Sequence, residues 1–339
     1  MTAPTTERTR ADRARSVARR QARRHGWTVG VWLLLVVMLV WYATLIPQFG
    51  DFQLTSIAKN SLPTVFLALA QAVIVIAGGI DVGIGALMVL ANSVAARLME
   101  GQPFVVTVAI GLGVVVGSAL LNGLVGWTIV RSGVPDVVVT LATLFIFTGL
   151  ALLVLSSPGG GTSPGLRLMF TGSETGVGSN YVPSLLALAI PAIILSWWLT
   201  RTRRGLALYA IGSDTSAAFL SGIDVGRAKI RSYAVGGAFA GLAGVALVAI
   251  SNSGDPRFVN ALNGTLNSLA AVVLGGVLLG GGVGSVIGAT AAGIMLFTLN
   301  PVLTAMGIDP NTAQIVRGAL IVAVMMAAGL LEWRRRRRT

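Results

Sequence analysis

The sequence predicts an all-α polytopic membrane protein of about ten transmembrane helices, with two glycine-broken helical hairpins. Three observations predict it. The 339 residues are 54% hydrophobic and only 11% charged, whereas a soluble domain carries roughly a quarter of its residues charged. The apolar residues gather into runs close to the roughly 20 that a helix needs to cross a bilayer. The 43 glycines fit the same class, because small residues let membrane helices approach closely.

Composition also removes whole classes of function. Cysteine is absent, so disulfides, thiolate metal sites and a cysteine nucleophile are excluded. The single histidine, His25, sits in a basic tail, and neither a metal nor a cofactor is expected. The net charge of +13 resembles a nucleic-acid signature until it is located. It lies in the two tails and one central loop, where membrane orientation and anionic headgroups account for it; nucleic-acid binding is not expected. A phosphate-binding loop needs Gly-Lys-Ser/Thr after its glycines, and the only lysines, Lys59 and Lys229, both follow alanine. The chain itself is therefore not expected to hydrolyse ATP.

In order along the chain, residues 1–26 carry eight arginines and read as a disordered cytoplasmic tail. The apolar run that follows is too long for a signal peptide and lacks a small-residue cleavage site. The first span is Val29 to Ile46, with Trp27, Trp32, Trp41 and Tyr42 near its ends as interfacial aromatics. The block from Ser61 to Leu98 is interrupted by Gly78-Gly79-Ile80-Asp81-Val82-Gly83-Ile84-Gly85. Such backbone is tolerated at membrane depth only inside protein or beside a water-filled cavity, so two helices meeting at an unwound turn are expected. Asp81 is one of very few acids within the apolar blocks, which points to a functional group; the plainer reading is a helix cap at the membrane edge.

Pro103 to Val130 is a glycine-rich span containing Asn122. Val137 to Leu155 is another, with Thr140 and Thr143 on one helical face. Ser156 to Tyr181 is poor in charge and belongs outside the cell. Val182 to Leu199 returns to the cytoplasm. The stretch from Thr200 to Arg231 is then the one long polar segment of the interior, basic at both ends. Positive charge marks cytoplasmic loops, so it should face inward. Its middle reads as a short helix, capped by Asp214 and ended at Gly222 in a left-handed turn. Such a helix is either a docking element for another protein or a connector lying on the surface.

Tyr233 to Ile250 is a span and Ser251 to Arg257 an outside loop. From Leu269 a second block repeats the order of the first: a β-branched run, the pair Gly275-Gly276, then a glycine-rich turn. Gly78-Gly79 and Gly275-Gly276 are expected to be equivalent points, because paired interrupted helices point to a transport pathway. Ala313 to Leu331 is the last span, and residues 333–339 form a basic cytoplasmic end. An even count leaves both termini in the cytoplasm and puts both glycine turns on the same side. An inverted repeat would put them on opposite sides.

Five stretches, in order, carry a family resemblance. They are Gly78-Gly-Ile-Asp-Val-Gly-Ile-Gly; Val134-Pro-Asp-Val-Val-Val-Thr-Leu-Ala-Thr; Gly205-Leu-Ala-Leu-Tyr-Ala-Ile-Gly with Ala217-Ala-Phe-Leu-Ser-Gly-Ile; Leu269-Ala-Ala-Val-Val-Leu-Gly-Gly; and Gln314-Ile-Val-Arg-Gly. Together they cover most of residues 58–330 and make the chain, whose transmembrane permease domain is expected over 27–332, resemble the permease subunit of bacterial ATP-binding-cassette importers, in the ribose and simple-sugar group whose relatives carry branched-chain amino acids. The resemblance implies a permease in the bacterial cytoplasmic membrane that pairs with a second permease subunit, a cytoplasmic ATPase and an extracytoplasmic substrate-binding protein. It implies that Asp214, Thr215, Ser216, Ala217, Ala218, Ser221 and Gly222, within the loop 200–231, form the helix that couples to the ATPase. Departures are Asp136, where the family commonly has an apolar residue, and Asn263, Gly264 and Asn267, in a region where it often has an acid.

Candidate groups along a translocation path are Gln71, Gly78, Gly79, Asp81, Asn122, Thr140, Thr143, Asn267, Gly275 and Gly276. The expected cargo is a small polar solute, most simply a monosaccharide. An ion-coupled carrier is the alternative; such carriers bury several titratable groups, and here Asp81 stands nearly alone.

Overall fold

A computed structural model describes residues 10–175 and 180–309, followed by 311–316, 318–319, 322–323 and 326. The described residues include the helices α1 (Arg10–Leu45), α2 (Asp51–Ile76), α3 (Ile84–Met99), α4 (Phe104–Ser132), α5 (Asp136–Val154), α6 (Pro164–Thr171), α7 (Val182–Arg201), α8 (Arg203–Ser213), α9 (Thr215–Leu220), α10 (Val225–Ser251), α11 (Phe258–Leu274) and α12 (Val286–Ala305), and those described after 310 are helical as well. Seven of these helices are long and apolar enough to cross a membrane, while α3 and α11 are shorter apolar helices. The expected last span, Ala313 to Leu331, and the basic end 333–339 lie largely outside the described residues.

The outer helices are apolar toward the surroundings, and their polar and small residues turn inward against a large apolar core centred on α2. On α4, Leu112, Val116, Leu120 and Leu124 are all exposed, each four residues from the next. The opposite stripe, Thr107, Gly111, Val114, Ser118, Asn122, Val125 and Ile129, is buried. That is the reverse of a soluble helix and the arrangement a lipid surround requires, because lipid tails give packed helices no hydrophobic drive and close contact must hold them. Close contact is what α10 supplies to α4: a β-carbon on Gly237 would lie 2.4 Å from the carbonyl oxygen of Ser118.

The centre of the bundle is α2. Every residue from Val65 to Ala77 is buried, and α2 is packed against α3, α7, α8, α10, α11 and α12. At about 1.5 Å per residue its 26 residues span about 39 Å. It connects an end of the bundle that carries both glycine turns with an end that carries a polar pocket.

Several expectations differ from this architecture in detail. The helix of α1 begins at Arg10, within the stretch expected to be a disordered tail, because alanine, arginine and glutamine are strong helix formers. The polar stretch from Thr200 to Arg231 is not one loop. It holds α8, α9 and the first two turns of α10, so Arg227, Lys229 and Arg231 are helical. The short helix has the predicted cap and stop: the Ala217 amide donates to Asp214 Oδ1 at 2.9 Å, and Gly222 has φ of 80°.

Candidate functional site

Both helix breaks lie at the same end of the bundle. The first, residues 77–83, closes α2 with a left-handed Gly78 at φ 80° and an amide of Gly79 donating back to Ile74 O at 2.9 Å. The second closes α11 in the same way, with Gly276 at φ 85° and Val277 donating to Val272 O at 3.0 Å. These are paired Schellman turns, which put glycine where a β-carbon is disfavoured. The structural equivalence is thus Gly78 with Gly276, one residue out of step with the expected pairing of Gly78-Gly79 with Gly275-Gly276.

Side chains from four other helices hold the first turn. Asp81 is fully buried; its Oδ1 accepts from the Gly83 amide at 2.8 Å and its Oδ2 from Asn122 Nδ2 at 3.0 Å. The same Asn122 nitrogen donates to Tyr233 O at 3.0 Å. Tyr233 donates its hydroxyl to Asp136 Oδ2 at 3.0 Å and to Ile80 O at 3.3 Å, and Lys229 pairs with Asp136 Oδ1 at 2.6 Å. Thr140 Oγ1 accepts from the Val82 amide at 3.1 Å, while Thr265 on α11 donates to Val82 O at 2.9 Å and accepts from the Gly85 amide at 3.1 Å. The unwound backbone has in this way exchanged helix bonds for side-chain bonds, as backbone buried in protein must. Replacing Tyr233 with phenylalanine takes a donor from Asp136 Oδ2 and leaves Ile80 O only the longer contact from Thr140 Oγ1 at 3.4 Å. It is expected to cost about 1–3 kcal/mol, read as a lower apparent melting temperature of the purified protein.

The two turns also touch each other through α8. The Gly282 amide donates to Ile76 O at 2.9 Å, joining the second turn to the end of α2. A β-carbon on Gly281 would lie 2.9 Å from Gly78 Cα and from Gly212 O, and one on Gly212 would lie 2.0 Å from Ile76 O. Tyr209 donates to Gly284 O at 3.1 Å, and the Ser213 hydroxyl reaches Gly282 O at 3.5 Å. The last turn of α8 is therefore wedged into both breaks, and α9 continues directly from it. From the side of the second turn, Trp27 of α1 donates its indole N–H to Leu274 O at 2.9 Å.

On α9 the side chains divide sharply. Ala218 is 4% exposed, whereas Phe219 and Leu220 are 69% and 85% exposed. Asp214, Thr215, Ser216, Ala217, Ser221 and Gly222 are exposed as well. The outward apolar pair is thus Phe219 and Leu220, which the sequence reading passed over in favour of their neighbours.

At the opposite end a pocket of about 360 Å³ opens between α2, α3, α10 and α11, with Thr64, Leu67, Met88, Asn92, Ser251, Ser253, Asp255, Asn260, Asn263 and Asn267 among its lining residues. Asn260, Asn263 and Asn267 follow the helical spacing of three and four, so α11 turns one amide-bearing face toward it. Asn92 is tied into the wall: its Oδ1 accepts from the Asp255 amide at 2.9 Å. Arg257 holds the Asp255 carboxyl below its ordinary range by hydrogen bonding to it, in a loop outside the helices. A wall of amides and hydroxyls with apolar sides suits an uncharged polyhydroxy ligand.

Of the path residues expected from sequence, only Asn267 lines this pocket. Asp81, Asn122 and Thr140 are brought together in the first turn, and Thr143 packs there against Gly83, where a β-carbon would sit 2.5 Å from its Oγ1. In this conformation Asp81 binds the amide of Gly83, the residue just ahead of α3. Gly275 and Gly276 form the second turn. Gln71 is buried in the last third of α2 with both amide atoms unpartnered. Asp136, noted only as a departure, and Lys229, Tyr233 and Thr265 were not assigned to the turn; their partners lie 93 and more residues away in the chain. The one available signal was Asp136 itself, an acid at the mouth of an apolar run.

The comparisons agree on the family. Residues 53–325 match the family described as branched-chain amino acid transport system / permease component. Among curated proteins, the chain is 28% identical over 303 residues to the ribose import permease protein of Bacillus subtilis (strain 168), covering 88% of this chain and 91% of that one. It is 30% identical over 311 residues to the D-allose transport system permease protein of Escherichia coli (strain K12), covering 89% and 92%. It is 28% identical over 316 residues to the fructose import permease protein of Rhizobium meliloti, covering 90% and 85%. No solved structure matches. A match spanning most of the chain, from the start of the central helix α2 through both glycine turns, makes this protein a member of the branched-chain amino acid transport system permease component family.

Proposed function

We propose that the chain is the membrane-spanning permease subunit of an ATP-binding-cassette importer that brings a monosaccharide across the bacterial cytoplasmic membrane. The observation that carries this reading is the division of labour between the two ends. One end offers an amide-lined pocket, and the other inserts α8 into both helix breaks and presents α9 beside it. The relatives named for ribose, allose and fructose support a monosaccharide as cargo, and the pocket volume suits a ligand of that size. The ion-coupled alternative finds no support at the pocket, where Asp255 is already engaged by Arg257.

In the proposed assembly two permease subunits share a path, a substrate-binding protein delivers solute to the pocket end, and an ATPase sits against α9 in the cytoplasm. Both termini then lie in the cytoplasm, with the basic ends held by anionic headgroups. The proposed path groups Asn267, Asn263 and Asn260 bind weakly through hydroxyl contacts. Closure of the ATPases moves α9 and α8, and through Gly212 both turns. Because α2 and α11 leave those turns and end as pocket walls, the movement opens and closes the pocket by alternating access.

Replacing Asn267 with leucine removes one donor and one acceptor from the wall. It is expected to lower uptake of D-ribose, D-allose or D-fructose by about tenfold, the effect of about 1.4 kcal/mol, with expression and ATPase association unchanged. Unchanged uptake of a sugar that the parent importer carries would refute the pocket.

A further inference from the structure

Gln71 sits in the last third of α2, five residues before its end at Ile76, fully buried, and neither Oε1 nor Nε2 has a hydrogen-bond partner. Thr55 Oγ1 and Ser93 Oγ share that state, but a helical hydroxyl reaches its own i−4 carbonyl by rotating about one bond. A primary amide has two donors and an acceptor to satisfy and no such local solution. Its position adds direction. Thr64, Leu67 and Gln71 follow a spacing of three and four along one face of α2, and the first two line the pocket. Gln71 therefore lies one turn beneath the pocket wall. Two flexible apolar ends of the pocket lining, Leu67 Cδ1 and Met88 Cε, lie beside Gly264, where a β-carbon would meet them at 3.0 and 3.3 Å.

We infer that Gln71 is a second, deeper binding position for the same polyhydroxy solute, reached when Leu67 and Met88 swing aside during the transport cycle. This rests on the pocket being the solute entry. An amide matches vicinal hydroxyls, accepting from one and donating to the next. Left unpaired, it weakens the closed conformation and gains its bonds only in the conformation that admits solute. That difference is what a group must have to shift a conformational equilibrium.

The absence of cysteine permits a direct test. Gln71→Cys and Ala70→Cys, the latter fully buried and not a pocket residue, are assembled with the ATPase and binding protein in membrane vesicles. Each is treated with a small hydrophilic thiol reagent with and without ATP. Labelling at position 71 is expected to rise by about tenfold with turnover, while position 70 stays unreactive. No rise at position 71 overturns the inference. In parallel, Gln71→Leu is expected to raise the apparent melting temperature, because an orphaned polar group is removed, and to lower uptake by about tenfold. A higher melting temperature with normal uptake also overturns it. Uptake lost in Asn267→Leu but retained in Gln71→Leu removes the deep position alone. Uptake retained in both removes the pocket reading on which it stands.

Discussion

Replacing Phe219 and Leu220 together with aspartate is expected to abolish uptake and release the ATPase while leaving the permease folded. The two side chains project from a six-residue helix, 69% and 85% exposed, so their loss removes little from the chain's own packing. An exposed apolar pair on an otherwise polar segment calls for a partner surface. Buried in a partner groove, each would contribute about 1.5–3 kcal/mol. Two buried carboxylates in their place reverse that sign, so association should fall by at least about 1,000-fold, the equivalent of about 4 kcal/mol. Co-purification of the ATPase with the tagged permease is the measurement, and thermal unfolding of the permease is its control. Undiminished co-purification would mean that α9 is a connector. Ala218 is a poorer probe: it is buried against the body of the chain, and a bulky residue there would disturb α9 itself.

The difference between Ala218 and Leu220 shows what the sequence could and could not supply. Apolar runs, basic flanks and glycine clusters are local signals, and they marked the spans, the capped helix at Asp214 and both breaks. Which side of a six-residue helix faces inward depends on what it packs against, and that information is not local. The same limit hid the first turn's supports. Asp136 is a visible departure in the sequence, but its partners Lys229 and Tyr233 come from α10 and are brought to it only by the packing of α10 on α4 and of α5 on α3 and α4. The one-residue offset between the breaks arose because two adjacent glycines look alike in sequence. Only the left-handed member, Gly78 or Gly276, marks the turn. The amide face of α11 was legible in principle from the spacing of Asn260, Asn263 and Asn267, yet only Asn267 was singled out. Asn263 was noted only as a departure from the family pattern, and Asn260 was not considered.

The arrangement at the turn end makes a second large effect expected, at Gly212. A methyl group there would lie 2.0 Å from Ile76 O and 2.5 Å from the Gly282 amide, both backbone atoms that cannot rotate away. Relief requires α8 to move off by more than 1 Å, since carbon contacts settle at about 3.5–4.0 Å. That movement breaks the bond from Gly282 to Ile76, the one backbone link between the two breaks given by the structure. Overpacking alone should cost about 1–3 kcal/mol, less than a folded bundle of this size can tolerate. The larger consequence is functional. In Gly212→Ala the ATPase should still dock, because α9 is untouched, and ATP should still be hydrolysed. The push would no longer reach α2 and α11 together, so solute carried per ATP should fall by about tenfold or more. Gly113→Ala on α4, where a β-carbon meets nothing within 4 Å, should leave that ratio unchanged. If Gly212→Ala also leaves it unchanged at normal expression, the contact between α8 and the turns is packing only, and the work of ATP must enter the bundle by another route.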